Sequence, residues 1–330
     1  MSSNPQLTFF TELEPQALLN LFADASVISS LKKLNAAVSV GLLDLSAERA
    51  KAIRQLNREG IPVTAWLLLP KSDGYWFNLN NFPQAADFYQ AFKAWAAAEN
   101  LKFSWIGLDI EPDINETYDI TRPTPESLRA YLQRLLRPSP YRQVRAAYAA
   151  LVARIRADGW PVEAYHAPLI ADDLKARSTV LQRALGLIHF PVDRTVLMLY
   201  TSFLRQLGPD FLQVYLADTD SVGVGNTGGG VDIPDEPAYL NWEEFSRDLL
   251  LAHNAGKTMH IFSLEGCVRQ GFLERLPEFD WNQPVMVPTA THLRLGRGLL
   301  QALLWLLQRP WALLAAAAAL VLFPRRKPRA

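Results

Sequence analysis

The sequence has almost no cysteine, no surplus of charge of either sign and no secretory leader. Its single cysteine, Cys267, can form no intramolecular disulfide and belongs to no cysteine-rich metal motif. Lys and Arg together number 33, as do Asp and Glu, so the basic surplus typical of nucleic-acid-binding proteins is missing. The opening residues, MSSNPQLTFFTELEP, lack the basic and apolar regions of a signal peptide. We therefore expect no nucleic-acid partner and a cytoplasmic location for the folded part of the chain.

Short strand-like runs alternate with longer helical stretches up to about residue 290. Residues 63–69 are almost wholly apolar, as expected for a strand buried on both faces of a parallel sheet. No glycine-rich phosphate turn follows the first strand, which disfavours an open doubly wound sheet. Eight strand–helix units predict an α/β fold, a closed (β/α)8 TIM barrel. The predicted strands are 7–11, 37–43, 62–69, 103–110, 162–167, 195–201, 221–225 and 258–264.

The end of the chain differs in composition from the rest. Residues 303–323 are apolar except for Gln308 and Arg309, and they are numerous enough to cross the hydrocarbon core of a bilayer, which needs ~20 residues. Trp305 and Trp311 suit the headgroup level, and the chain ends in the basic run PRRKPRA. We therefore divide the chain into a barrel domain, 1–290, and an apolar helical tail, 291–330, that associates with a membrane. A transmembrane span, a shallow hairpin, an in-plane helix and a core helix of the barrel are alternatives.

Two carboxyl groups end the fourth predicted strand, where TIM barrels place their active sites. In the segment WIGLDIEP, Asp109 and Glu111 point to one face because strand side chains alternate, with backbone positions ~6.6 Å apart. Two neighbouring carboxyl groups do not both ionise freely, so one holds its proton near neutral pH, as glycosidic bond cleavage requires. A purely structural pair is the alternative interpretation.

Two short motifs resemble the chitinase-type (family eighteen) glycoside hydrolases. Strand four of that family carries Asp-x-x-Asp-x-Asp-x-Glu and strand six carries Met-x-Tyr, which Asp109, Glu111 and residues 198–200 (MLY) match. The resemblance implies that Glu111 is the general acid and that Asp109 orients the N-acetyl group of an amino sugar. It also implies that Tyr200 hydrogen-bonds the acetyl oxygen, while the amide of the substrate serves as nucleophile.

The match to that family is partial. The two earlier aspartates of the strand-four pattern fall on Ser104 and Gly107, and Thr201 stands where the family usually has an aspartate. Muramidase-type barrels also carry an Asp-x-Glu pair on strand four. The sequence therefore supports the broader description of a glycoside hydrolase-like barrel, and a different sugar or an inactive relative stays open.

The loop after the third strand, residues 71–81 (KSDGYWFNLNN), combines three aromatic side chains with several amides and acids. Aromatic faces cover the apolar side of a sugar ring, while Asn and Asp bind its hydroxyl groups. A loop that packs on the barrel through its own aromatics is the alternative. With the other polar residues at strand ends, the predicted substrate-binding residues are Asp73, Tyr75, Trp76, Asn78, His166, Asn226 and Glu265.

The sequence as a whole predicts a glycosidase that cleaves a glycan, with no cofactor and no bound metal. One alternative is an enzyme that depends on a divalent metal, with ligands drawn from Glu12, the strand-four carboxylates, His166 and Glu265. The other is a non-catalytic barrel that binds a glycan or a protein at a membrane.

Overall fold

Eight parallel strands close into a barrel in the computed structural model, which describes residues 5–116, 124–136, 138–205, 207–225, 227–228, 239–309 and 311. Each strand pairs with its neighbours in the chain, and β1 pairs with β8 to complete the ring. The predicted (β/α)8 TIM barrel is therefore confirmed. The strands are β1 (Leu7–Thr11), β2 (Ala37–Leu42), β3 (Val63–Leu67), β4 (Trp105–Ile110), β5 (Val162–His166), β6 (Arg194–Met198), β7 (Ser221–Gly225) and β8 (Thr258–Phe262).

Helices surround the barrel, and local sequence fixes several of their ends. The Ser46 side chain accepts a hydrogen bond from the Arg49 amide at the start of one helix, and Asn241 and Glu244 form a capping box at another. The helices described over their whole length are α1 (Pro15–Ala23), α2 (Ala25–Lys33), α3 (Ala47–Arg58), α4 (Phe82–Ala98), α5 (Pro125–Leu136), α6 (Pro138–Ala157), α7 (Leu169–Lys175), α8 (Val180–Leu185), α9 (Gly208–Tyr215), α10 (Trp242–Asn254), α11 (Leu264–Arg269), α12 (Phe272–Arg275) and α13 (Thr291–Leu307).

Strand alternation divides the apolar core into two layers. Side chains such as Phe9 and Val40 point outward and are fully buried beneath the helices. Phe10, Trp66 and Tyr165 point inward and fill the barrel, with ring centroids 4.8 Å apart for Phe10 and Tyr165 and 5.1 Å apart for Phe10 and Trp66. The barrel interior is thus a packed core, and functional side chains are confined to its rim.

One carboxylate lies deep inside the barrel with a full set of partners. The Tyr165 hydroxyl donates to Glu163 Oε1 at 2.7 Å, and the Ser39 hydroxyl lies 3.0 Å from the same tyrosine oxygen. Glu163 Oε2 lies 3.3 Å from both His260 Nε2 and Arg194 Nη1. We call these five residues the lower network, because Glu163 and Arg194 lie nearer the amino ends of their strands.

The first part of the predicted tail is a helix held against the barrel. Leu304 of α13 is 2% exposed and packs with Ala176 and Val180. Arg297 forms ion pairs with Asp172 and Asp218. Among the described helices none is long and apolar enough to cross a membrane. Of the predicted span 303–323, the described residues are 303–309 and 311.

Candidate active site

The end of β4 carries a pair of buried carboxyl groups. Asp109 is 2% exposed, and its Oδ2 accepts a hydrogen bond of 3.1 Å from the Trp66 indole. Burial, followed by the negative charge of Glu111, raises the pKa of Asp109 well above its ordinary value. Burial also raises the pKa of Glu111 to about 7, while the neighbouring Asp109 lowers it. Both shifts favour retention of a proton by the pair at neutral pH.

Two further carboxyl groups join this pair from β1 and β8. The Tyr75 hydroxyl donates to Glu12 Oε1, and the Glu12 amide donates to Glu265 Oε1 at 3.3 Å. Burial raises the pKa of Glu12 to about 8, the bond from Tyr75 lowers it, and the charges of Glu265 and Glu111 raise it further. Burial also raises the pKa of Glu265. We call Glu12, Asp109, Glu111 and Glu265 the upper cluster.

The loop after β3 connects the upper cluster to the rest of the rim. The Phe77 amide donates to the Asp109 carbonyl at 2.8 Å, so the loop extends alongside the end of β4. Tyr75 and Trp76 are 4% and 7% exposed, lie edge to face at 5.4 Å and pack on the inner core. Tyr75 meets Glu12 directly, whereas the half-buried Asp73 takes part in the loop through its carbonyl, which accepts from Asn81.

The structure gives Asn78, a predicted substrate-binding residue, a structural part in this loop. The side chain is fully buried, its amide nitrogen donates to the Trp76 carbonyl at 3.1 Å, and its oxygen accepts from the Asn80 amide at 2.9 Å. Both polar atoms are therefore used within the loop. The positions of Asn78 and Trp76 fit the alternative interpretation of this segment, a loop packed by its own side chains.

Tyr200 reaches the upper cluster from β6. Its ring lies 5.9 Å from that of Phe262 at the end of β8. Burial, followed by the charges of Asp109, Glu111 and Glu12, raises the pKa of the Tyr200 hydroxyl well above its ordinary value. The hydroxyl thus keeps its proton and is available as a hydrogen-bond donor beside the carboxyl pair.

His166, another predicted substrate-binding residue, lies apart from the upper cluster. Glu163 and Tyr165 occupy the inward positions of β5, so His166 points to the outer layer, fully buried with its ring 5.6 Å from that of His189. Burial lowers the pKa of His166 to about 3, so the ring stays neutral. Asn226, another predicted binding residue, lies outside the described residues.

The metal-dependent alternative needs His166 as its imidazole ligand, and this side chain points away from the upper cluster. Throughout the part of the chain that the structure describes, no three His, Cys, Asp or Glu side chains form a group fit to hold a metal ion.

The departure from the chitinase-type pattern at Gly107 has a steric cause. A Cβ atom at this position would lie 2.3 Å from the Tyr165 hydroxyl oxygen. Tyr165, from β5, therefore fills the space that a side chain at position 107 would need. Its hydroxyl belongs to the lower network through Glu163 and Ser39.

Sequence reasoning missed the importance of Glu12, Tyr165 and Trp66 at this site. Of these three, the sequence pattern suggests Glu12 only, as a ligand in the metal-dependent alternative. One signal was present in β5, whose sequence is VEAYH. A charged residue at position 163, followed two places later by a tyrosine, is typical of the polar face of a strand. His166 is one residue further along, so its side chain lies on the opposite face, away from the barrel interior.

Comparisons with known proteins bear on the fold. No family model and no curated protein matches the sequence. Among solved structures, the chain is similar to the catalytic domain of a beta-amylase from Paenibacillus polymyxa, with a TM-score of 0.52 and 8% identity over 86% of this chain and 100% of that one. It is also similar to a D-allulose 3-epimerase from Methylomonas sp., with a TM-score of 0.43 and 10% identity over 79% and 86% of the two chains. At such identities the similarity shows the barrel fold alone.

Proposed function

We propose that this protein is a glycoside hydrolase in which Glu111 is the proton donor. The observation that carries the proposal is the Asp109–Glu111 pair, which lies at the carboxyl end of a barrel strand and holds a proton at neutral pH. Cleavage of a glycosidic bond needs such a donor, because the leaving oxygen must be protonated as the bond breaks. The similarity to a beta-amylase domain concerns the fold, so these side chains have to carry the reaction.

The arrangement assigns a distinct task to each member of the pair. Glu111 gives its proton to the glycosidic oxygen as the C1–O bond breaks and becomes a carboxylate. The acetamido oxygen of an amino sugar bonds to C1 in place of the leaving group, and water then adds to C1 as Glu111 takes up the proton of that water. Asp109 keeps its proton because its pKa is raised, and its Oδ1 has no partner among the described residues, so it can donate a hydrogen bond to the carboxylate that forms on Glu111 and stabilise it. Trp66 holds Asp109 in place through the indole bond.

An amino sugar is the substrate class that we propose. The protonated Tyr200 hydroxyl, beside Asp109 and Glu111, is suited to donate a hydrogen bond to the carbonyl oxygen of an N-acetyl group. Glu12 and Glu265, with raised pKa values, add hydroxyl donors and acceptors for the sugar. Tyr75 and Trp76 would border the site rather than stack on the ring, because both are almost fully buried.

The test is turnover of a panel of fluorogenic glycosides, amino-sugar oligomers included, by the full chain. We expect Glu111→Gln to lower turnover by ~10² or more while glycan binding is retained. The matched control is Glu274→Gln at an exposed position of α12, which should leave turnover unchanged. Activity should fall as pH rises above about 7, since Glu111 must be protonated. Full activity of Glu111→Gln would refute the assignment.

A non-catalytic glycan-binding barrel is the second candidate, and the Gly107 position favours it. Tyr165 fills the place of a family aspartate, so one partner of Asp109 in the chitinase-type pattern is missing. Calorimetric titration with the same oligosaccharides separates the two proposals. Binding by folded protein that hydrolyses none of the panel would identify the non-catalytic barrel.

A further inference from the structure

The helix α13 presents an exposed stripe of leucines. Leu295, Leu299, Leu303 and Leu307 are 64%, 74%, 51% and 47% exposed, and we call them the leucine face. Their spacing of four residues places them along one flank of the helix. Monomeric soluble proteins rarely expose a contiguous apolar surface of this kind without a partner.

The opposite side of α13 is fixed to the barrel. Arg297 Nε donates to Asp172 at 2.8 Å, and Arg297 Nη2 donates to Asp218 at 2.7 Å. Further along the helix, the Gln308 side chain accepts from the Thr179 amide at 3.1 Å. The leucine face therefore has a defined orientation on the barrel, because the other side of α13 is bonded to it.

Neighbouring apolar side chains enlarge this surface. Leu132 and Leu136 of α5 are 60% and 81% exposed. Both helices contribute to one small cluster, in which Leu135 of α5 and Leu300 of α13 pack around the buried Leu304. The exposed leucines of α5 and α13 thus lie on the same side of the barrel.

Charge identifies the partner that this surface fits. After Asp280 the chain has no Asp or Glu, while seven of its 33 Lys and Arg residues lie there, four of them in the last six residues. Trp305 and Trp311 are 42% and 65% exposed, and the Arg309 guanidinium lies 4.7 Å from the Trp305 ring centroid. Exposed leucines bordered by tryptophan and arginine, with no acidic residue, are typical of a helix at the surface of an anionic bilayer.

We propose that the leucine face docks on an anionic lipid surface, with α13 lying in the plane of the interface and the barrel held beside the membrane. An in-plane helix follows from the contacts, because a helix whose other side is bonded to Asp172 and Asp218 cannot be surrounded by lipid. The residues that follow Arg309 in the sequence, up to Phe323, are apolar, and the last residues are basic. Both add to the preference for an anionic lipid surface. A second copy of the chain is a poorer partner, since its face would bring like charges together.

Co-sedimentation of the full chain with lipid vesicles tests this proposal, which does not depend on the proposed reaction. The vesicles are phosphatidylcholine alone, or with about 30% phosphatidylserine. We expect at least tenfold stronger partitioning onto the anionic vesicles, and a loss of about tenfold in the double variant Leu299→Gln, Leu303→Gln. The matched control is Leu204→Gln with Leu207→Gln, at leucines 44% and 45% exposed, and should partition as the unaltered protein does.

A second measurement does not depend on these variants. Lipids brominated in the acyl chain should quench tryptophan fluorescence of the unaltered protein, and quenching should fall in Trp305→Phe. No binding to anionic vesicles would overturn the proposal, as would equal binding by the leucine variant. A dimer that Leu299→Gln, Leu303→Gln dissociates would show instead that the face joins two copies of the chain.

Discussion

The barrel holds carboxyl groups at two levels, the lower network and the upper cluster. The pKa values at the two levels are shifted in opposite directions. Burial pushes the pKa of Glu163 upward, but the charge of His260, hydrogen bonds from His260 and Tyr165 and the charge of Arg194 outweigh it, so the net pKa is lowered. At the rim, burial raises the pKa of Glu12 and Glu111, and the neighbouring charges are mainly negative. Burial alone therefore does not decide whether a carboxyl group is ionised. The charges and hydrogen-bond donors around it decide this.

The two levels therefore differ in role: the lower network stabilises the fold, and the upper cluster carries the proposed chemistry. A carboxylate that faces Arg194 and accepts hydrogen bonds from its other neighbours is stable as an anion and holds strands together. Carboxyl groups packed against one another keep protons that a substrate can take up. Removing a side chain from each level should therefore affect different properties of the protein.

Removal of the charge at Glu163 should have the largest effect, on stability. We expect Glu163→Gln to lower the free energy of unfolding by ~3–5 kcal/mol at neutral pH, because Arg194 and His260 lose their buried counter-charge. Urea denaturation measures this, with Glu59→Gln in the exposed Lys32–Glu59 pair as control, where the loss should stay below ~1 kcal/mol. Since the pKa of Glu163 is lowered, the difference should shrink as pH falls below about 4.5. Equal losses in the two variants would remove the distinction between the levels.

The rim should show the opposite dependence on pH. The pKa of Glu12 is raised to about 8, so the folded protein binds this proton more tightly and loses stability as pH rises from about 4.5 through 8. Glu12→Gln has no such loss and should be more stable than the unaltered protein at pH 9, by ~2 kcal/mol, with little difference at pH 4. Melting temperatures across this range check the sign, and a constant difference would contradict it.

Gly107 lies between the two levels, where a methyl group should disturb both. Gly107→Ala would place Cβ 2.3 Å from the Tyr165 hydroxyl oxygen, and we expect a destabilisation of ~1–2 kcal/mol as the tyrosine moves. The control is Gly296→Ala in α13, where no atom lies within 4 Å of the new Cβ and helix propensity predicts a gain of ~0.5–1 kcal/mol. A neutral Gly107→Ala would mean that Tyr165 has room to shift.

Tyr200 should give the smallest effect, and only on activity. Tyr200→Phe removes one hydroxyl donor beside the carboxyl pair, so turnover of an amino-sugar substrate should fall several-fold, less than in Glu111→Gln. Substrates without an N-acetyl group should be affected less. An unchanged rate would argue against the amino-sugar part of the proposal and leave the role of Glu111 untouched.

Prediction from sequence succeeded where a local pattern and the fold class together fix a position. Strand alternation placed Asp109 and Glu111 on one face, and the rule that barrel sites lie at strand ends placed that face at the rim. It did not foresee the local partners of Asn78 or the outward direction of His166. Asn78 is used by its own loop, and His166 sits one residue out of register, a step that turns a side chain to the other side of a strand.

The sequence by itself determined the barrel, because eight apolar strands alternating with capped helices have few other ways to bury their surfaces. It also determined the pair on β4 and the acid-free, leucine-rich end of the chain. Only the tertiary structure decided which distant residues meet. Glu12 and Glu265 come together because β1 and β8 are neighbours in the closed barrel, and Tyr165 takes the place left by Gly107 because β5 packs beside β4. Such contacts join residues far apart in the chain, and closure of the barrel sets them.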